Sequence, residues 1–392
     1  MPTTDFRNLL YRCALPVLAP SPRGRMQHVQ PDRPLDDLRG YERVLKRHHV
    51  LGASLLLDSG QERRQVYTSV AQPAHHADAA TMFRVASITK MSTALVTLML
   101  CDEGAFRLDD PVSALLPDGE RAEVLRGVTL RQLLSHTSGL QDVPAYERTL
   151  SAGGTIHDVL ADPGVRFAEP GAAMSYSNFG FGLVGCVLEQ ASGLPLPELY
   201  RQRLFAPLGM RATLDASTLD EGCIMPISRV LPHRAGQDVT VTALGRKPLV
   251  EADPLRHFGH SAGSMYTDAP SLATLLQLIL HGGAYGPQQL ISEPLIREMT
   301  TQHAFTGPAS SPHRRYGLGL VILRRDDVSA RPLYGHQGFA YGCVDGAFIE
   351  AETGRTVVFL NGGASEAREG RLGLVNRDLL RWALKTEVPQ WT

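Results

Sequence analysis

With 392 residues, 43% hydrophobic and 20% charged, and a formal net charge of −1, the chain has the make-up of a globular protein with a substantial core. It contains no long basic run, so neither a nucleic-acid surface nor a polybasic membrane anchor is indicated. The five cysteines, Cys13, Cys101, Cys186, Cys223 and Cys343, are scattered without a C-x-x-C pair, which argues against a disulfide framework and a zinc ribbon. Cys101 and Cys186 lie in apolar runs and read as core thiols.

Residues 1–34 read as an N-terminal arm or linker. The apolar run at 14–19 is short and broken by Pro16, so no signal peptide is expected and the protein reads as cytoplasmic. Apolar residues at Leu35, Leu38, Tyr41, Val44 and Leu45 predict a helix up to His48. Residues 50–57 and 65–70 read as two strands of a hairpin around Asp58-Ser59-Gly60. The run from Met91 to Cys101 reads as a buried helix, too short to span a bilayer. Thr129 is an N-cap for a short helix through Leu134. Residues 141–215 look mostly helical, with clear helices at 181–191 and 196–205. A strand is expected at 239–243 and a helix at 271–281, ended by Gly282-Gly283. Strand character returns at 317–323, 342–349 and 356–360, before a closing amphipathic helix at 371–384. Strands at both ends around a helical middle imply a sheet assembled from the two terminal parts, about 45–70 and 315–360. The mainly helical insertion is then about 105–255.

Three stretches carry chemistry. Ser87 and Lys90 are three apart at the start of the buried helix, hence on one face. Lys90 is the only charged side chain between Val85 and Cys101. Desolvation lowers the pKa of such a lysine, and a neutral amine beside a hydroxyl makes the oxygen a nucleophile. The bland alternative is an N-terminal serine followed by a lysine that snorkels to the surface. The second stretch is Ser175-Tyr176-Ser177-Asn178. A tyrosine beside a cation loses its proton more easily and can relay it, and the Asn178 amide can hold a substrate carbonyl or steady Lys90. The third is Tyr334-Gly335-His336-Gln337-Gly338-Phe339-Ala340-Tyr341-Gly342. Its glycines allow close backbone approach to a ligand, and as an edge strand it offers an N–H to an oxyanion. His336 is a candidate for orienting substrate or contributing to proton transfer, or else a surface histidine at a strand end.

In this order, Ser-x-x-Lys at 87–90, Tyr-Ser-Asn at 176–178 and His-Gln-Gly at 336–338 resemble the penicillin-recognising serine hydrolases. The closest branch is that of the class C β-lactamase-like proteins, with the family VIII esterases and D-aminopeptidases. Leu108-Asp109-Asp110-Pro111-Val112, Leu133 to Leu140, Pro207-Leu208-Gly209-Met210 and Tyr316-Gly317-Leu318-Gly319 extend the resemblance over about residues 40–385. It implies an α+β fold, an antiparallel sheet flanked by helices in a three-layer sandwich with an inserted helical domain, over 35–392. It also implies Ser87 as the acylated nucleophile, Lys90 as its activating partner and Tyr176 as acid/base. Asn178, His336, Gly338 and Phe339 would contact substrate, with the N–H groups of Ser87 and Phe339 forming an oxyanion hole. Two departures matter. His336-Gln337-Gly338 stands where lactamases and carboxypeptidases usually carry Lys-Thr-Gly, and Tyr-Ser-Asn replaces the class C Tyr-Ala-Asn. Both point away from β-lactams.

The leading expectation is therefore a cofactor-free serine hydrolase, carboxylesterase-like, acting on a small ester, amide or peptide. It binds no metal, nucleic acid or membrane, and its oligomeric state is left open. The rivals are a β-lactamase or D-Ala-D-Ala carboxypeptidase/D-aminopeptidase, an acyltransferase using the same acyl-enzyme, and a non-catalytic penicillin sensor. Glu251, Asp253, His257 and His260 suggest a metal-dependent hydrolase, but Pro254 and Gly259 disfavour the helix expected to bring both histidines together. His136 reads as a turn cap, and the pairs His48-His49 and His75-His76 read as solvated.

Overall fold

The computed structural model describes residues 25–70, 76–119, 122–226, 249–305, 315–324, 328–369 and 372–385, with residues 10, 13 and 14. Its centre is a nine-stranded sheet in which every pairing is antiparallel. In chain order the strands are β1 (Gln27–Val29), β2 (Gly52–Asp58), β3 (Arg63–Ser69), β4 (Ala304–Phe305), β5 (Arg315–Tyr316), β6 (Val321–Leu323), β7 (Leu333–Ala340), β8 (Cys343–Glu350) and β9 (Arg355–Gly362). Across the sheet they run β1-β3-β2-β9-β8-β7-β6-β5-β4. The β2–β3 hairpin thus joins the C-terminal strands through Leu55↔Phe359 and its neighbours, as the strand pattern at the two ends implies. Gln27–Val29, inside the segment read as an arm, forms the edge strand on β3.

Strand alternation divides the sheet's apolar residues between two cores. Leu55, Val66, Val357 and Phe359 enter one, with Tyr41 and Leu45 of α1 (Leu38–Arg47). Val375, Leu379 and Leu380 of the last helix, Leu374–Lys385, complete it. Leu56, Val358 and Leu360 point the other way, against Met91 and Leu95 of α2 (Thr89–Asp102) and the central helical region. That region includes α3 (Asn178–Ser192) and α4 (Ala269–Leu280), so the C-terminal helix is α5. Helices, sheet and helices make the three layers expected.

Some boundaries differ from the sequence reading. Of residues 317–323 only Val321–Leu323 is strand, because the Gly317 N–H turns back to Leu320 C=O and Gly319 adopts φ 69°. The closing helix begins at Leu374, since Leu372–Gly373 pairs with Arg368–Glu369 and the Gly373 N–H donates to Gln337 Oε1. The strand expected at 239–243 lies outside the described residues. His48 is buried rather than solvated, with Nε2 2.9 Å from Asp378 Oδ2 on α5, whereas His76 is exposed. Cys186 is buried, but Cys101 is only partly so. Among the described residues no single helix is long and apolar enough to cross a membrane.

Candidate active site

The site begins at a strained turn. Ala86 has φ 46°, a left-handed conformation that costs a non-glycine residue about 1–3 kcal/mol. It opens a 3-10 turn, Ala86–Ile88, that runs directly into α2. Thr89 locks this junction, its hydroxyl donating to Ala86 C=O at 2.6 Å and accepting from the Met265 N–H at 3.1 Å. Ser87 is left partly exposed while every residue from Ile88 to Leu100 is buried.

Lys90 is fully buried and does not snorkel. Its Nζ lies 3.2 Å from Ser87 Oγ, and it donates to Asn178 Oδ1 at 2.9 Å and to Ala262 C=O at 2.7 Å. Burial pushes its pKa down to about 7, and Asp142 opposes part of that shift. The Tyr176 ring centroid is 4.9 Å from Nζ and that of Phe181 5.4 Å. The structure brings Ser87, Lys90, Tyr176 and Asn178 together from two separate stretches of the chain.

Two features bring these groups together. The Ala262 carbonyl arrives on a segment that crosses α3 at Gly182, where a Cβ would stand 2.1 Å from Phe258 O. Ser261 holds that crossing, with its hydroxyl donating to Phe181 C=O at 2.7 Å and its carbonyl accepting from Thr93 Oγ1 at 2.6 Å. The loop before α3 is held by His136, whose Nδ1 accepts from the Ser177 N–H at 3.2 Å. Its ring packs on Tyr176 with centroids 4.3 Å apart, so it is a support for the loop.

The Glu251–His260 stretch serves this architecture as well. Glu189, buried in α3, accepts from His257 Nδ1 and from the Asp253 and Leu196 N–H groups, at 2.8 Å in each case. Turns, not a helix, bring the His257 and His260 rings to 5.9 Å, correcting the sequence reading. Burial pushes His260 down to about 4.

The third stretch is an interior strand, not an edge one, yet part of it is open. β6 pairs with β7 only over Leu333–Gly335, so among the described residues no strand covers that side from His336 onward. On its other side β7 pairs with β8 throughout, ending at Ala340↔Cys343 around a two-residue turn with Tyr341 and Gly342 both at positive φ. The alternation of antiparallel pairing then turns the Phe339 N–H toward the open side. Gln337 points to the far face, where its Oε1 accepts from Asn376 Nδ2 at 3.0 Å. His336 and Gly338 therefore face the Ser87 layer. A Cβ on Gly338 would lie 2.2 Å from Val85 O, so only glycine lets β7 lie against the Ser87 turn. We expect Gly338→Ala to lower kcat/KM by about 10²-fold, the scale of an ångström-level misplacement, while thermal unfolding stays cooperative. Activity at the wild-type level would show that this contact does not position the site.

His336 is buried, not a surface residue, and its Nδ1–H donates to Gln337 C=O at 2.6 Å. Burial, with Lys90 nearby, pushes its pKa down to about 3, so it is neutral. Phe339 corrects an expectation. Its ring packs on the α5 side, with the Arg368 guanidinium 4.0 Å from its centroid, so only its backbone can meet a substrate.

Missing from the sequence reading is Asp142. Its Oδ1 accepts from Ser177 Oγ and the Phe179 N–H, both at 2.9 Å. Its Oδ2 accepts from the Asn178 N–H at 3.1 Å and Asn178 Nδ2 at 3.0 Å. The only local signal was an acidic residue soon after Ser138-Gly139-Leu140.

Known proteins resemble the chain over different shares of its length. Esterase EstB of Burkholderia gladioli is 30% identical over 331 residues, covering 76% of this chain and 81% of that protein. Penicillin-binding protein 4 of Amycolatopsis lactamdurans is 31% identical over 44% of the chain, a match spanning about half, 47%, of that relative's length. Among solved structures, D-amino acid amidase from Ochrobactrum anthropi SV3 with D-phenylalanine superposes with a TM-score of 0.69 at 23% identity, covering 90% of this chain and all of that one. The Beta-lactamase family model matches residues 38–375, a span that takes in Ser87 with its buried partner Lys90, the Asn178 loop and the open strand at His336, and the chain belongs to that family.

Proposed function

We propose that the protein is a serine hydrolase that cleaves an ester or small amide through an acyl-serine intermediate, and that it prefers esters to β-lactams. The observation that carries this reading is the set of Lys90 contacts. A neutral amine has two N–H groups and one lone pair. Asn178 Oδ1 and Ala262 C=O can only accept, so they take both N–H groups. The lone pair is left for the Ser87 hydroxyl, 3.2 Å away. Ser87 Oγ gives its proton to the Lys90–Tyr176 pair and bonds to the acyl carbon. The N–H groups of Ser87 and Phe339 hold the oxyanion. The proton then passes to the leaving alcohol or amine as its bond to the acyl carbon breaks. Water repeats the sequence on the acyl-serine and releases the acid. Lys90 and Tyr176 are treated as one coupled base.

Substrate preference rests on His336. The β-lactamases and carboxypeptidases of the superfamily this sequence resembles usually carry a lysine there, a permanent point charge for a carboxylate. A neutral, buried His336 supplies no such charge. A hydrogen bond to a charged group contributes about 1.5–3 kcal/mol, which is about ten- to a hundredfold in kcat/KM. Short-chain p-nitrophenyl esters should therefore exceed nitrocefin in kcat/KM, and His336→Lys should narrow the gap by about that factor. Preference of the wild-type protein for nitrocefin at pH 7.5 would overturn the ester assignment while leaving Ser87 as nucleophile.

A further inference from the structure

Resting on the hydrolase reading above, we propose that Asp142 is a positioning residue that acts through Asn178, fixing its amide so that the oxygen meets Lys90. The geometry leaves one orientation. Asp142 Oδ2 can only accept, and it takes Asn178 Nδ2–H at 3.0 Å. Lys90 Nζ donates to the opposite end of the same amide, Oδ1, at 2.9 Å. A flipped amide would place oxygen against carboxylate and nitrogen against an N–H donor. Three further bonds from Ser177 Oγ and the Asn178 and Phe179 N–H groups pin the carboxylate to the first turn of α3. Sequence distance makes this a tertiary device, because the Asp142–Asn178 contact spans 36 residues and the Asn178–Lys90 contact 88.

The same carboxylate acts on Lys90 through space. Besides Ser87 Oγ and Asn178 Oδ1, the groups facing Lys90 include the Tyr176 ring from the loop before α3, Phe181 of α3, neutral His336 of β7, and the carbonyl of Ala262. His136 backs Tyr176. α2 contributes no second charge over Val85 to Cys101. Among the described residues Asp142 is the carboxylate that raises the basicity of Lys90, against a larger effect of burial.

Asp142→Asn removes the charge and the accept-only constraint while keeping the size of the side chain. On a p-nitrophenyl ester its kcat should fall by about 10²-fold with little change in KM. The acid limb of its kcat/KM profile should move to lower pH, since the Lys90–Tyr176 pair loses a negative neighbour and binds its proton less tightly. Asn178→Ala should cost a similar factor, and the double variant no more than the larger single one. Unchanged kcat and an unmoved acid limb in folded Asp142→Asn overturn the proposal, as does additivity in the cycle. Should that variant fail to fold, Asp142→Glu keeps charge and acceptors. It should then hold the wild-type acid limb, and a downward shift would be contrary. Fluorophosphonate labelling of the wild-type enzyme separates the two readings. Labelling at Ser87 with an indifferent Asp142→Asn overturns only this proposal, and absence of labelling at Ser87 overturns both.

Discussion

Ser87→Ala is expected to lower kcat on a short p-nitrophenyl ester by about 10⁴-fold or more, the scale seen when an acyl-accepting nucleophile is removed. The size follows from what surrounds the hydroxyl. Ser87 Oγ lies within hydrogen-bond reach of Lys90 Nζ, and the strained Ala86 turn presents it at the start of α2. Residual activity would come from binding and the oxyanion donors, which do not supply a covalent route. Because Ser87 is partly exposed and donates nothing to the core packing, the variant should unfold like the wild type. A variant that retains wild-type turnover would move the nucleophile elsewhere.

Lys90 and Tyr176 should behave as a unit. Lys90→Ala and Tyr176→Phe are each expected to cost about 10²–10⁴-fold in kcat, the range for a positioned acid or base. The double variant should cost little more than the worse single one, since groups that act together are non-additive. Fully additive losses in the cycle would contradict this. The pH dependence has a definite sign. Burial sets the Lys90 pKa at about 7, against an ordinary 10.5. Below that value the amine is protonated and cannot take the Ser87 proton, and above it the lone pair is available. kcat/KM should therefore rise with pH through about 7, and Lys90→Ala should lose that limb. A profile flat between pH 6 and 8 would mean that no group of this basicity takes part.

Local spacing made part of this site legible. Ser87 and Lys90 share a face because they are three residues apart on a helix, and the absence of other charge from Val85 to Cys101 foretold a depressed lysine. The sandwich was legible too, since strand periodicity at both ends required a sheet closed by the two ends. What stayed hidden depends on long-range packing. Asp142 meets Asn178 only after α3 has docked, and its role has no periodic signature. Ala262 acts through its carbonyl, which any residue has, and its delivery depends on the close crossing at Gly182. Phe339 looked like a substrate contact, but the register of β7 sends its ring to α5 and leaves only its N–H on the open side of the strand. His257 and His260 meet through turns that a helical reading could not anticipate. His48 looked solvated in a polar pair, yet Asp378, 330 residues away, draws it inside.

Intact-mass spectrometry after incubation with a fluorophosphonate, and separately with a penicillin, tests the acyl-serine claim most directly. With the fluorophosphonate, the wild-type protein should gain one phosphonyl group, located by peptide mapping on Ser87, and Ser87→Ala should gain none. The penicillin adduct should form far more slowly, as expected without a lysine at position 336. A phosphonyl group on any other residue, or equal labelling of Ser87→Ala, would contradict the assignment of Ser87 as nucleophile.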